Sequence, residues 1–462
     1  MSVNRRTFLG ALGSAALLGC SESSEPLPQA TKVDPVAADQ GGAPSNILLL
    51  CIDDLRDWVG YKNAHPGVHT PHIDRLRDQS CAFNRAYCTV PVCIASRGST
   101  LWGLRPETAG LDGLDDAAPY SALMKSPTVR PLPDYFSASG YRTISTGKVF
   151  HWEKGTSRFW EVYQPYQESP VSFGDHGTLF DYGLQPPGEV HTDQKSADFA
   201  VEQLQREHDA PWFMAIGLQQ PHVPWRLPQW AFDLHPLQDV VLPSVRADDL
   251  EDIPAAGVAL ARNPSGEIEG RPFDQHSLVV DSGLWREHVQ AYLAACSHTD
   301  AMVGQILAAL DSSVHRDNTA VVLWSDHGYH LGEKLHWRKM ALWEQATRVP
   351  LLVRSPQLPA GSGFDQPVSL LDLAPTVLAL AGIAAPAHFE GESLVEQALG
   401  RAPPRPVDMR WGDAVSTRVG KWRWTRYAEG GEELYDLERD PEEYDNLLGR
   451  DGKLQGGLSA LA

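Results

Sequence analysis

From Asn46 to Ile52 the chain runs Asn-Ile-Leu-Leu-Leu-Cys-Ile and then turns sharply polar at Asp53-Asp54. An unbroken apolar run of this length, rather than an alternating one, predicts a strand buried on both faces, as in parallel sheets. The signature returns at residues 212–216 and 320–324, the latter ending at Asp326, and residues 141–146 predict a fourth strand. Between the strands the period changes. Thr70-Pro71 opens a helix carrying Ile73 and Leu76, residues 196–207 form a second, and residues 284–310 a third. In the last of these Val289, Tyr292, Leu293, Cys296, Val303, Ile306 and Leu310 recur at helical spacing. Strand, helix and strand in alternation predict an α/β fold: a mainly parallel sheet with helices on both faces, holding ligands beyond the strands' carboxyl ends.

The pattern lapses twice. Residues 221–272 are rich in proline and dotted with aromatics, which predicts a long functional loop. After a helix at 370–381 the composition shifts to short β-like strings, Thr417-Arg418-Val419, Lys421-Trp422-Arg423-Trp424-Thr425 and Glu433-Leu434-Tyr435. These predict a smaller C-terminal α+β subdomain, residues 385–462, with a short antiparallel sheet after a main domain at 45–384. The first twenty residues read as an export signal, with Arg5-Arg6-Thr7-Phe8-Leu9 ahead of an apolar stretch too short to span a bilayer. Paired arginines resemble the twin-arginine signal, and Leu17-Leu18-Gly19-Cys20 resembles a lipobox, which implies the twin-arginine export machinery as a partner and lipidation of Cys20. The expected destination is that of an exported bacterial lipoprotein, in the periplasm or at the outer membrane. Residues 21–44, rich in Ser, Pro, Ala and Asp, read as a flexible tether.

With 39 Lys and Arg against 59 Asp and Glu, the formal charge of -20 argues against nucleic-acid binding, which needs clustered cations. An anionic small substrate would need a local basic pocket. Of the six cysteines, Cys51 and Cys296 fall on apolar strand and helix positions and read as core thiols; pairing of Cys81 with Cys88 stays open.

Chemistry gathers where the strands end. Asp53-Asp54 follows the strand at 46–52, Gly147-Lys148-Val149-Phe150-His151 the one at 141–146, Pro221-His222-Val223-Pro224 the one at 212–216 and Ser325-Asp326-His327-Gly328 the one at 320–324. Strand ends in such a sheet converge on one edge, so these groups can share a site. Singly each has a plainer reading, as a helix cap, a loop histidine or a solvated lysine. Together Asp53, Asp54, Asp326 and His327 supply the oxygen-rich set that Ca²⁺ or Mg²⁺ prefers, and no Cys-x-x-Cys or His-Glu-x-x-His string points to zinc. A fifth string, Cys93-Ile94-Ala95-Ser96-Arg97, places a cysteine one helical turn before an arginine.

These strings resemble those of the type I, formylglycine-dependent sulfatases, and their spacing is most similar to the iduronate-2-sulfatase branch. The likeness runs from Ile52-Asp53-Asp54-Leu55-Arg56 through C-I-A-S-R, G-K-V-F-H, Q-P-H-V-P and S-D-H-G-Y-H-L-G-E to Glu433-Leu434-Tyr435-Asp436-Leu437, Asp440-Pro441 and Asn446-Leu447. The extra residue in G-K-V-F-H, and His rather than Asn after Asp326, mark that branch. The resemblance implies an alkaline-phosphatase-like sheet and a sulfuric ester hydrolase that removes O-sulfate from a sulfated carbohydrate, a 2-O-sulfated uronic acid or related polysaccharide unit.

The same resemblance implies that Cys93 becomes formylglycine (3-oxoalanine), whose hydrate attacks sulfur. A formylglycine-generating maturase would be a partner, of the kind that accepts Ala95 where the commonest motif has proline. Calcium, in preference to magnesium, would be held by Asp53, Asp54, Asp326, His327 and residue 93. Arg97, Lys148 and Lys339 would neutralise the sulfate and steady residue 93; His222, with Lys339, would protonate the leaving alcohol; His151 would be the base for sulfate release. Arg105, Trp337 and Arg338 are the substrate-binding candidates. Two other functions use the same residues: a phosphonate or phosphate ester hydrolase of the same superfamily, and a non-catalytic glycan-binding lipoprotein with Cys93 unmodified.

Overall fold

The apolar run at the start of the chain forms β1 (Asn46–Asp53), and its side chains divide by parity between two cores. Leu48, Leu50 and Ile52 point into one hydrophobic cluster, Ile47, Leu49 and Cys51 into the other, all fully buried. Burying each leucine or isoleucine contributes about 1.5–3 kcal/mol. The structure is a computed structural model describing residues 46–454 except 114, 153–154, 167–180, 263–266, 269–270 and 273. The export signal, the tether and Cys20 lie outside the described residues.

Seven further strands complete the central sheet: β2 (Cys81–Phe83), β3 (Arg142–Thr146), β4 (Val162–Gln164), β5 (Trp212–Pro221), β6 (Thr319–Ser325), β7 (Leu351–Arg354) and β8 (Gly363–Phe364). Their spatial order is β8-β2-β7-β6-β1-β5-β3-β4. Only β7 runs against the rest, pairing antiparallel with β6 and β2. In the middle, β1 lies parallel to β6 and β5, so the segments after all three emerge at one edge. One face is covered by α1 (Pro71–Asp78), α3 (Thr192–Leu204) and α4 (Trp285–Asp311), the other by α2 (Cys93–Trp102) and α5 (Leu373–Leu380). Among the described residues no helix is long and apolar enough to cross a membrane.

The fold class is as expected: mixed α/β, with a large, mostly parallel sheet and a C-terminal antiparallel one. Boundaries moved where caps outrank periodicity. The helix expected at 196–207 starts at Thr192, because the His191 side chain accepts the Asp193 N–H and caps it. The loop expected at 221–272 contains helices at Gln229–Asp233 and Ala255–Arg262, each beginning directly after a proline, Pro228 and Pro254. Proline fixes φ and lacks an N–H, which a helix start tolerates. Its buried Trp225, Val240, Leu250 and Ile253 pack it down. Cys81 and Cys88 are both free thiols.

The C-terminal sheet is a four-strand meander, β9 (Val407–Trp411), β10 (Ala414–Val419), β11 (Trp422–Arg426) and β12 (Glu432–Asp436). It docks through buried ions as well as apolar contacts: Arg423, fully buried, reaches Glu344 at 2.6 Å and Glu443 at 3.0 Å. Upstream of it Leu394 and Val395 pack into the same core as α2 and α5.

Burial also leaves an acid-sensitive mark. His288 and His235 are held neutral, burial pushing both imidazoles down to about 4 from 6.5. Between those values the unfolded chain binds protons that the folded one refuses, so stability rises with pH there and is lost as pH falls below 6.5. Each histidine is expected to remove about 2–3 kcal/mol of unfolding free energy between pH 6.5 and 4. Urea unfolding of wild type and His288→Gln, compared from pH 7 to 5, checks this, because the buried Asp300 carboxyl, pushed up to about 7, acts in the opposite sense in the same window; an identical pH slope in the two proteins would contradict neutral burial.

Candidate active site

At the carboxyl edge of β1, two neighbouring carboxylates must face one point, although successive strand residues point to opposite faces. The backbone solves this at Asp54, which takes a left-handed φ of 63°. Aspartate tolerates that conformation better than most residues. Both oxygens of Asp326 are taken up, Oδ2 by Arg97 Nε at 2.7 Å and Oδ1 by the N–H groups of Asp54 at 3.2 Å and His327 at 3.0 Å. Tyr292 on α4 donates to the Asp54 carbonyl at 2.7 Å and accepts the Arg56 N–H. No sequence signal marked that tyrosine beyond its place on an apolar helix face.

Cys93 is the first residue of α2 and is 3 % exposed. Lys339 Nζ donates to its sulfur at 3.0 Å, His327 Nε2 lies at 3.3 Å, and His151 makes a side-chain hydrogen bond to it. Burial raises the thiol, but Lys339, Lys148 and His327 together hold it well below its ordinary value. Lys339 also pairs with Asp54 Oδ1 at 2.7 Å, and Lys148 with Asp53 Oδ2 at 2.6 Å.

Lys148 reaches Asp53 because two glycines let backbones touch. A Cβ on Gly147 (φ 76°) would fall 1.8 Å from the Gly217 carbonyl, and one on Gly217 2.2 Å from the Lys148 backbone. Lys339 is fixed differently. Its neighbours Arg338 (φ 75°) and Met340 (φ 73°) are both left-handed, a strain of about 1–2 kcal/mol each that Met340 N–H to Pro91 O at 3.0 Å helps to hold.

Asp53, Asp54, Cys93 and His327 offer donor atoms all within 4.8 Å of one another. Three carboxylates and a thiolate face Arg97, Lys148 and Lys339, one negative charge in excess, and His327 answers it: burial pulls the imidazole down, yet Asp326, Cys93 and Asp54 raise it to about 9. Asp54 Oδ2 is buried without a hydrogen-bond partner. An oxygen-rich cluster with a spare buried oxygen fits a divalent cation.

The remaining candidates sort by position. Arg97, expected to meet the sulfate, is fully buried and committed elsewhere: to Asp326, to Asp53 at 3.8 Å, and to the carbonyls of Lys148, Val149 and Ile52. It acts through the ligands. His222 is buried, with Nδ1 at 2.6 Å from the Val223 carbonyl. His151, whose N–H donates to Tyr120 Oη at 3.0 Å, lies with Lys148, Trp152, Tyr163 and Tyr166 around a cavity of about 60 Å³.

Arg105 is not brought to the cluster. It follows the far end of α2, roughly 14 Å along that axis at 1.5 Å per residue, and borders a separate cavity with Asp372, Glu390 and Arg405. Trp337 is fully buried in the core, its ring edge-on to those of Trp285 and His288. Arg338 is half-buried beside Lys339.

Residues 45–383 match the Sulfatase family model. A sulfatase of Formosa agariphila is 34% identical over 425 residues, covering 87% of this chain and 82% of that one. The iduronate 2-sulfatase of Mus musculus is 31% identical over 404 residues, covering 76% and 71%. A solved 2-O GAG sulfatase superposes with a TM-score of 0.68 at 22% identity, covering 87% of each chain. The chain therefore belongs to the sulfatase family, with an iduronate-2-sulfatase-like relationship, and is a sulfuric ester hydrolase.

Proposed function

We propose that the enzyme removes O-sulfate from a sulfated carbohydrate, with a 2-O-sulfated uronic acid unit as its target, Cys93 oxidised to formylglycine and calcium in the Asp53–Asp54 cluster. The observation that carries this reading is the convergence of Lys339, His327 and His151 on the Cys93 sulfur, at a helix N-terminus beside two buried carboxylates. The oxidised residue would supply, as a hydrated aldehyde, a hydroxyl able to attack sulfur. Calcium, held by Asp53, Asp54, His327 and residue 93 with Asp326 at its edge, would supply Lewis-acid polarisation of a sulfate oxygen.

The chain's own groups have separable tasks. Lys148 and Lys339 place positive charge where an anionic ester must sit, inside a molecule of formal charge -20. Arg97 fixes Asp326 and Asp53. His222, with Nδ1 occupied by the Val223 carbonyl, turns Nε2 to the leaving alcohol as its proton donor. His151, bonded to residue 93, is placed to take a proton from it. Kinship with iduronate 2-sulfatase supports the uronic acid, and Arg338 beside Lys339 offers a cation for its carboxylate. Export as a lipoprotein through Cys20 belongs to the same reading, supported by the sequence of residues 1–20.

The test pairs chemistry with mass. Protein from a host carrying a maturase is expected to show an aldehyde at residue 93 and to release sulfate from 2-O-sulfated uronic oligosaccharides, far outpacing phosphate release from a matched ester. Faster phosphate release would overturn the sulfatase specificity; a thiol at residue 93 with no turnover would overturn the catalytic reading.

A further inference from the structure

A second cluster lies under the turn that carries His222. His191, Asp193 and His298 offer one donor atom each, all within 4.8 Å of one another, the same bound that encloses the catalytic set. The geometry points to a transition-metal site here, of the zinc class, built from two imidazoles and one carboxylate with an open fourth position.

The donor chemistry selects the metal. Two nitrogens and one carboxylate suit Zn²⁺, or Co²⁺ and Ni²⁺, whereas Ca²⁺ wants six or more oxygens and Mg²⁺ an octahedral oxygen set. Ligand atoms around tetrahedral zinc stand ~3.4 Å apart at bond lengths of about 2 Å, so closure needs side-chain rotation of about an ångström. An independent feature points to a ligand. His298 is 2 % exposed and its Nδ1 has no hydrogen-bond partner. A buried imidazole nitrogen left unsatisfied is unfavourable, and metal coordination satisfies it. Its ring is held in place by Trp230, stacked at 5.9 Å and 21°, and by the His191 ring at 4.4 Å.

The carboxylate is held as a metal ligand's should be. Asp193 Oδ1 accepts Gln219 N–H at 2.7 Å and Oδ2 accepts Gln220 N–H at 2.8 Å, leaving each oxygen a lone pair. The carboxylate also offsets the positive end of α3, which would otherwise disfavour a cation. The His191 side chain keeps a 9 % exposed edge, and because its Nδ1 already accepts the Asp193 N–H, Nε2 is the nitrogen left for an ion. The sequence hid this site because its ligands come from two distant segments, His191-x-Asp193 and His298, and fit no short zinc motif.

The site sits two residues of chain from catalytic chemistry. Gln219 and Gln220, tied to Asp193, directly precede Pro221-His222, and Thr299, next to His298, donates to the Gln220 carbonyl at 2.9 Å. Bound zinc would tighten the turn that aims His222.

The test uses full-length protein stripped with a chelator and then kept in excess calcium, so that calcium fills the oxygen-rich cluster. Titration with ZnCl₂, read by calorimetry and by metal analysis after desalting, is expected to give one zinc per chain and a higher thermal midpoint. That zinc and that shift should vanish in His298→Ala and in His191→Gln, and persist in His327→Ala, which alters only the catalytic cluster. Co²⁺ in place of zinc should show the intense visible bands of tetrahedral nitrogen–oxygen coordination in wild type and lose them in His298→Ala. Absence of bound zinc in wild type would overturn the proposal, as would undiminished binding in a folded His298→Ala protein, or loss in His327→Ala alone.

Discussion

A Cys93→Ala enzyme is expected to fold normally and to lose sulfate release by at least about 10⁴-fold in kcat, the scale seen when a covalent nucleophile is removed. Lys339, His327 and His151 all address the Cys93 sulfur, and Lys148 adds its charge. The nearest hydroxyl on α2, Ser96, is committed to the Asp326 carbonyl at 2.6 Å and cannot stand in. Alanine is the best helix former and removes a single atom beyond Cβ, so the first turn of α2 is preserved. The denaturation midpoint should therefore stay within the ~0.5–1 kcal/mol scatter of mild substitutions. Sulfate measured by ion chromatography beside a urea curve separates lost chemistry from lost fold. Activity within tenfold of wild type would sink the assignment of residue 93 as nucleophile.

Much of this arrangement was legible in the chain. The uninterrupted apolar runs located β1, β5 and β6 because a strand buried on both faces has no polar position to spare, and their polar ends marked the edge where the site forms. Asp53, Asp54, Lys148 and His327 then meet because strand ends converge, and Cys93 at the start of α2 and Lys339 join them from outside the sheet. What the pattern missed is what short range cannot carry. The reversed strand β7 is only four residues long, and β2 three, so neither could be told from core-facing loop. Trp337 stood beside the motif as a substrate-binding candidate, yet its burial against Trp285 shows that proximity in sequence to a site says little about where a large ring packs. Arg105 failed for a related reason: the ten residues of α2 carry it away from the end where Cys93 sits.

The antiparallel strings of the C-terminal segment were also readable, but not how that sheet touches the site, and an Arg423→Met substitution exposes the link. Arg423 is fully buried and joins Glu344 and Glu443, while Arg418 and Arg348 reach the same Glu344 at 3.3 and 3.5 Å. From Arg348 the chain of ions runs to Asp57 at 2.7 Å, then Arg56, then Glu333. Glu344 belongs to the segment that follows Lys339, and that segment clasps the strand-end loop: Gly328 N–H donates to Ala346 O at 2.8 Å and Tyr329 N–H to Gln345 O at 2.7 Å. The C-terminal sheet is thus an ionic buttress for the loop bearing His327 and Lys339.

Methionine at 423 would keep the volume and remove the cation shared by Glu344 and Glu443; burial pushes the Glu443 carboxyl up to about 8, so above that pH the buried carboxylates are left one charge in excess. Breaking a buried pair in this way costs about 3–5 kcal/mol, a large part of the 5–15 kcal/mol that holds a typical domain. The thermal midpoint should fall by roughly 5–10 °C, and activity should fall with it as the Lys339 segment loosens. Adding Glu443→Gln removes the surplus charge while keeping an amide that can still hydrogen-bond the Glu344 N–H, now accepted by Glu443 Oε2 at 2.7 Å. The double variant is expected to recover at least half of the lost midpoint, because unpaired charge, rather than lost packing, dominates the penalty. A double variant no more stable than Arg423→Met would show instead that the guanidinium's hydrogen bonds to Thr347, Ser416 and the Leu342 carbonyl hold the sheet in place.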